Sequence, residues 1–196
     1  MSLYHGTSAG AALKILENGD VKPSKDGYFY TFDGNRPESL AGALCFATGD
    51  GPRNGSLKEK NFFKRYTQLN PNFPTGLKGI FAKAALKMAA RSWAKEQLKS
   101  ATTDADRAGA IMVYADNSQA TARCRGGFVN EMKLPAAGLG TLKLERVYLD
   151  DALLKTPEVQ KLQAQGIVIE PLSHCTDKIW KDCAAAKAAK KSAPKA

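Results

Sequence analysis

Two residues stand out by type and position. His5 follows the apolar pair Leu3-Tyr4 and precedes Gly6, and Glu131 sits between Phe128-Val129 and Met132-Leu134 in a strand-like run. A histidine at a strand's C-terminal end, beside a glycine that admits close backbone approach and ahead of a helix N-terminus, has the geometry in which strand-to-helix turns bind ligands. The plainer reading makes His5 a core histidine next to a turn glycine. For Glu131, period-two alternation puts Val129, Glu131 and Lys133 on one face and Phe128, Asn130, Met132 and Leu134 on the other. The plainer reading there is a glutamate on the solvent face of an amphipathic strand.

The elements that must hold these groups can be read from periodicity. Leu3 and Tyr4 are strand formers that Gly6 interrupts, and Thr7 or Ser8 can cap the helix begun by Ala9, Ala12, Leu13 and Leu16. Gly19 after Asn18 suits a left-handed C-cap. "DGYFYTFDG" (Asp26 to Gly34) reads as a second strand. "ESLAGALCFA" (Glu38 to Ala47) reads as a short buried helix after Pro37, although "ALCFA" also fits a strand. Thr48 to Gly76 is rich in Gly, Pro, Asn and Lys, with Phe62, Phe63, Tyr66 and Phe73 interspersed, and is a candidate substrate-facing loop.

Leu77 to Ser100 is the longest helical stretch, with Leu77, Ile80, Phe81, Ala84 and Met88 along one face. On it Lys83, Lys87, Arg91, Lys95 and Lys99 recur at four-residue intervals as a basic stripe, which is either a solvated face or a track for polyanions. Three further strand-like runs follow, at Gly109 to Asp116, Gly126 to Pro135 and Gly140 to Asp150. Thr156 to Pro171 then reads as a helix ending at Gly166 and a strand.

The chain of 196 residues, 43% hydrophobic, suits a single domain over residues 1–183. The Ala/Lys-rich end, 184–196, has almost no large apolar side chain and is expected to be a disordered basic tail. No run approaches the roughly 18 apolar residues of a membrane helix. Met1 leads straight into the first strand without a basic and apolar leader, so a cytoplasmic protein with no membrane partner is expected. Cys45, Cys124, Cys175 and Cys183 lack zinc-site spacing, even with His174 beside Cys175, so no metal is expected and free thiols are. A net charge of +10 favours a polyanionic partner such as RNA or DNA.

Three segments in order, "LYHGTS" (Leu3 to Ser8), "GYFYT" (Gly27 to Thr31) and "NEMKLP" (Asn130 to Pro135), together resemble the His, Tyr and Glu signature of ADP-ribosyltransferases related to diphtheria toxin and the poly(ADP-ribose) polymerases. The resemblance covers Leu3 to Pro135. It implies an α+β fold, a split β-sandwich with helices flanking two small sheets, and NAD bound in the cleft between them. It further implies that His5 hydrogen-bonds the adenosine-side ribose and that Gly6, with Thr7, offers contacts to the cofactor. Tyr30 or Tyr28 would stack on the nicotinamide, and Glu131 would accept from the 2′-hydroxyl of the nicotinamide ribose. An alternative alignment sets "ALCFAT" (Ala43 to Thr48) at the aromatic position and leaves Cys45 where a tyrosine is expected.

The implied activity is NAD-dependent mono-ADP-ribosyl transfer to a macromolecular acceptor, nucleic acid or protein, as an effector, toxin or phage-type modifier, acting in a host cytoplasm if delivered there. Val129 breaks the Glu-x-Glu pattern of the arginine-modifying branch, so arginine is not the expected acceptor. Two rivals stand beside it. An RNA 2′-phosphotransferase needs several Arg and His side chains around a phosphate, and this chain has only His5 and His174. A non-catalytic basic nucleic-acid-binding domain would make both His5 and Glu131 structural.

Overall fold

The computed structural model describes residues 2–19, 21–34, 37–53, 62–70, 76–115, 121–122 and 131–192. It is a mixed α+β structure. Strand β1 (Ser2–Ser8) leads directly into helix α1 (Ala9–Asn18), where the Ser8 hydroxyl accepts from the Ala11 amide at 3.1 Å. Gly19, at φ 66°, closes that helix by donating its amide to the Ile15 carbonyl at 2.8 Å. Gly6, expected to interrupt β1, lies within it. The chain continues through β2 (Tyr28–Asp33), α2 (Pro37–Thr48), α3 (Phe62–Leu69), α4 (Gly76–Leu98), α5 (Asp104–Arg107) and β3 (Gly109–Ala115). It ends through β4 (Thr121–Ala122), β5 (Glu131–Pro135), β6 (Lys143–Leu149), α6 (Pro157–Ala164), β7 (Ile169–Pro171) and α7 (Leu172–Ser192).

Among the described residues the strands form one seven-stranded sheet in the order β4-β5-β2-β1-β3-β6-β7. All neighbours are antiparallel except β6 and β7. Two separate small sheets were expected, and hydrogen bonding instead joins the halves through a narrow seam. β1 pairs with β3 along its whole length, from Ser2↔Ala115 to Ser8↔Gly109, but with β2 only at Leu3↔Asp33 and Tyr4↔Phe32. Beyond Tyr4 the two strands diverge.

Alternation along the strands feeds a core on each face. Ile111 and Phe32 pack with α2, α7 and the fully buried Tyr66 of α3. Leu3, Met112, Tyr114, Met132 and Leu134 pack with α1 and α6. Helix α2 lies hard against the sheet through small residues. A Cβ at Gly6 would overlap the Ala43 carbonyl oxygen, and one at Gly109 would overlap that of Ala47, one helical turn on. These glycines fix the height of α2 over β1 and β3.

Three expectations are corrected. The apolar face of α4 is not a core face: Leu77, Ile80, Phe81 and Met88 are 63% to 73% exposed. The helix docks instead through Ala90 and Ala94, whose small side chains permit close approach. The Ala/Lys-rich end, expected to be disordered from 184, continues α7 to Ser192, because alanine and lysine are strong helix formers and α7 is already anchored by Leu172, Cys175 and Ile179. The segment after Thr48, expected to be irregular, contains α3, where Tyr66 is buried with its hydroxyl accepting from the Asn70 amide at 2.7 Å; 54–61 and 71–75 lie outside the described residues. Phe73, Lys58, Lys60, Cys124 and Asn130 lie outside the described residues. Among the described residues no helix is long and apolar enough to cross a membrane.

Candidate active-site cleft

A cleft of about 820 Å³ opens where β1 and β2 part, within the usual range of roughly 300–1,000 Å³ for small-ligand sites. His5, Gly6 and Thr7 of β1, Tyr30 of β2 and Glu131 of β5 all line it. Three segments far apart in sequence thus meet at one place.

His5 is held on two sides. Its Nδ1 lies 2.7 Å from the Tyr30 carbonyl oxygen, spanning the gap that the backbone ladder leaves open. A carbonyl only accepts, so Nδ1 carries the proton and Nε2 is the acceptor. The ring also packs on Phe29, with centroids 4.2 Å apart and planes tilted by 33°. Phe29 in turn meets Tyr114 edge-on at 5.9 Å. Burial lowers the His5 pKa from 6.5 to about 4, so at neutral pH the ring is an uncharged, oriented hydrogen-bonding group.

Gly6 has a packing role that the sequence reading missed, since the neighbour its backbone approaches is α2. Thr7 is buried at the cleft wall. Tyr30 donates its hydroxyl to Asp26, and that bond is the main cause holding the exposed Asp26 carboxylate below its ordinary range. Tyr28 is not among the residues that line the cleft. Its ring lies 4.2 Å beneath the Lys133 ammonium, a cation–π contact. Of the two tyrosines, Tyr30 is the one at the site. In the alternative segment, Ala43 to Thr48, the Cys45 side chain is fully buried on α2 and burial pushes its thiol up. The next residue, Phe46, does line the cleft.

Glu131 opens β5, opposite Phe32 in the ladder, with Met132 and Leu134 on the buried face as alternation predicts. Its side chain is half-buried at the cleft.

The cleft contains residues that sequence reasoning passed over. Phe32, Phe46 and Trp93 form a continuous aromatic wall, with centroids 5.7 Å and then 5.8 Å apart. Lys14 and Lys22 lie at the α1 side. The missed signal was Trp93 itself, a tryptophan interrupting the run of small and basic residues on α4. Helix α4 is fixed there by buried charge. Asp50, fully buried with φ 50°, pairs with Lys87 at 3.5 Å and Arg91 at 3.3 Å. Arg53, expected on a basic loop, is buried and donates to the Asp106 carbonyl at 2.9 Å and to the Gln97 side chain.

The basic stripe is therefore divided. Lys87 and Arg91 serve α4 packing, and Lys99 pairs with Glu96 at 2.6 Å. His174 stands 3.6 Å from Glu170, away from the cleft. Among the described residues Cys45, Cys175 and Cys183 are free buried thiols, and no group of His, Cys, Asp or Glu has the arrangement to hold a metal ion.

No protein-family model, curated protein or solved structure matches this chain.

Proposed function

We propose that the cleft binds NAD and that the protein transfers its ADP-ribose to a macromolecular acceptor. The observation that carries this reading is the convergence of His5, Tyr30 and Glu131, from strands at residues 2–8, 28–33 and 131–135, on one cleft at a seam in the sheet. That seam also favours the split-sandwich reading, with β1-β3-β6-β7 and β2-β5-β4 as the two halves.

In this reaction the bond from ribose C1′ to the nicotinamide nitrogen breaks and the ring leaves with the bonding pair. The sugar develops oxocarbenium character, and an acceptor oxygen or nitrogen attacks C1′ and loses its proton. Glu131 at the ribose stabilises that developing charge more than it stabilises the ground state. The uncharged His5 accepts at Nε2 from a ribose hydroxyl and orients the donor. Tyr30, with its hydroxyl on Asp26 and its carbonyl on His5, ties the two sides of the cleft together. The net charge of +10 favours RNA or DNA as acceptor over protein. The position of His174 outside the cleft weighs against a phosphotransferase that needs several histidines around one phosphate.

The test is incubation with NAD labelled in its adenylate phosphate, separately with RNA, DNA and a protein extract. Label retained on one acceptor class, with equimolar release of nicotinamide, is the expected result. Absence of nicotinamide release with every acceptor overturns the reading.

A further inference from the structure

We infer that Trp93 is the stacking face for the planar heteroaromatic ring of the dinucleotide, the nicotinamide that departs during transfer. This rests on the NAD reading of the cleft and adds a binding residue that lies outside the three signature segments.

Trp93 belongs to α4, yet its side chain lines the same cleft as His5 and Glu131. It continues a wall that begins at Phe32, which faces Glu131 across the β2–β5 ladder, and passes through Phe46. A ring attached to a ribose beside Glu131 therefore has an aromatic surface next to it. The indole is also held in position. Phe46 meets it at an interplanar angle of 63°, and the Arg53 guanidinium carbon lies 5.6 Å from the ring centroid. Arg53 is itself buried and anchored on Asp106 and Gln97. A pre-positioned ring loses little entropy when a second ring stacks on it.

Of the two tyrosines of the signature, Tyr28 lies under Lys133 and outside the cleft, while Tyr30 lines the cleft with its hydroxyl held by Asp26. The nicotinamide of NAD is a pyridinium cation, and indole is the strongest cation–π partner among the side chains. The ring keeps its stacking contact while the bond to ribose breaks, so the interaction acts alike on bound NAD and on the transition state and its loss is read in KM.

The experiment uses tryptophan emission. The chain has two tryptophans, so W180F leaves Trp93 as the sole indole. NAD and free nicotinamide should each quench its emission saturably, whereas ADP-ribose, which lacks the ring, should not. In activity assays W93L should raise KM for NAD on the order of ten-fold with kcat within a few-fold. Trp180 packs against the core, so W93F in the otherwise natural chain provides a second route. The quenching by NAD seen in the natural chain should vanish in that variant.

Quenching by ADP-ribose equal to that by NAD overturns the inference. So does unchanged Trp93 emission and an unchanged W93L KM in a protein whose NAD turnover depends on Glu131. Quenching by an oligonucleotide but not by NAD overturns it too, and assigns the wall to an acceptor base. If the natural chain neither binds nor consumes NAD, the broader reading falls with it.

Discussion

The imidazole of His5 and the carbonyl of Tyr30 meet at 2.7 Å across the point where β1 and β2 cease to pair. The contact does the work of a ladder bond with a side chain, leaving room for a cleft between strands that elsewhere would be sealed together. It also ties the site's chemistry to the protonation state of His5.

That coupling has a sign. His5 titrates near 6.5 when unfolded and at about 4 when folded, so between these values the unfolded chain binds more protons. The His5 contribution to stability should be level above about pH 7 and decline as pH falls from 6.5 towards 4. In His5→Asn, which keeps a donor for the Tyr30 carbonyl without a titrating ring, this part of the acid loss should disappear. Thermal melts of both proteins across that pH range check it.

Glu131→Gln keeps the shape of the side chain and removes its charge. The variant should melt within a few degrees of the natural chain and lose NAD turnover by about 100-fold or more. Nicotinamide release measured under saturating NAD reads the loss directly. A rate within a few-fold of the parent would remove Glu131 from the reaction.

Gly6→Ala tests whether that glycine serves packing. The added methyl would run into the α2 backbone at Ala43, which cannot rotate away, so a loss of about 1–3 kcal/mol or more is expected. Denaturant unfolding measures it. An exposed control, Gly140→Ala, meets nothing within 4 Å and should be close to neutral.

Asp50 holds two cations from α4. Removing the carboxylate in Asp50→Ala should cost about 1–3 kcal/mol, because both cations lose their shared buried partner while remaining, at 22% and 40% exposure, within reach of water. Lys87→Ala or Arg91→Ala should cost less, since the other cation still pairs with Asp50. Urea unfolding of the three variants ranks them. The same substitutions should loosen Trp93 and raise KM for NAD.

If nucleic acid is the acceptor, its affinity should fall with salt at a logarithmic slope of about 0.7 per phosphate contact on a single strand. Charge reversal belongs at Lys83 and Lys95, because reversing Lys87 or Arg91 would break α4 packing as well. Lys83→Glu/Lys95→Glu should flatten that slope while leaving NAD hydrolysis intact. Filter binding at several salt concentrations tests it. An unchanged slope would make the stripe a solvated face and favour a protein acceptor.

Much of this was legible in the residues themselves. Ser8 and Gly19 mark the ends of α1, alternation in "EMKLP" separates Glu131 from Met132 and Leu134, and His5 reaches the cleft. The orientation of α4 was not legible. It carries apolar residues on more than one side, and the docking side is chosen by buried partners remote in sequence, Asp50 for Lys87 and Arg91 and Arg53 for Gln97. Trp93 was passed over for the same reason. The packing role of Gly6 was not legible because its neighbour, the Ala43 carbonyl, is contributed by the topology rather than by adjacent residues.

The register of the central strands bears on how the chain reaches this state. Ser2 pairs with Ala115 and Tyr28 with Pro135, so each half of the sheet is closed by residues separated by more than half the chain. Such non-local pairings make for slow folding, because the loop must close before any contact rewards it. During synthesis β1 and β2 emerge long before β3 and β5, and until those strands arrive the outer edges of the pair are open to other strands. The arrangement that brings His5 and Glu131 together thus also makes the nascent chain vulnerable to aggregation until residue 135 is available.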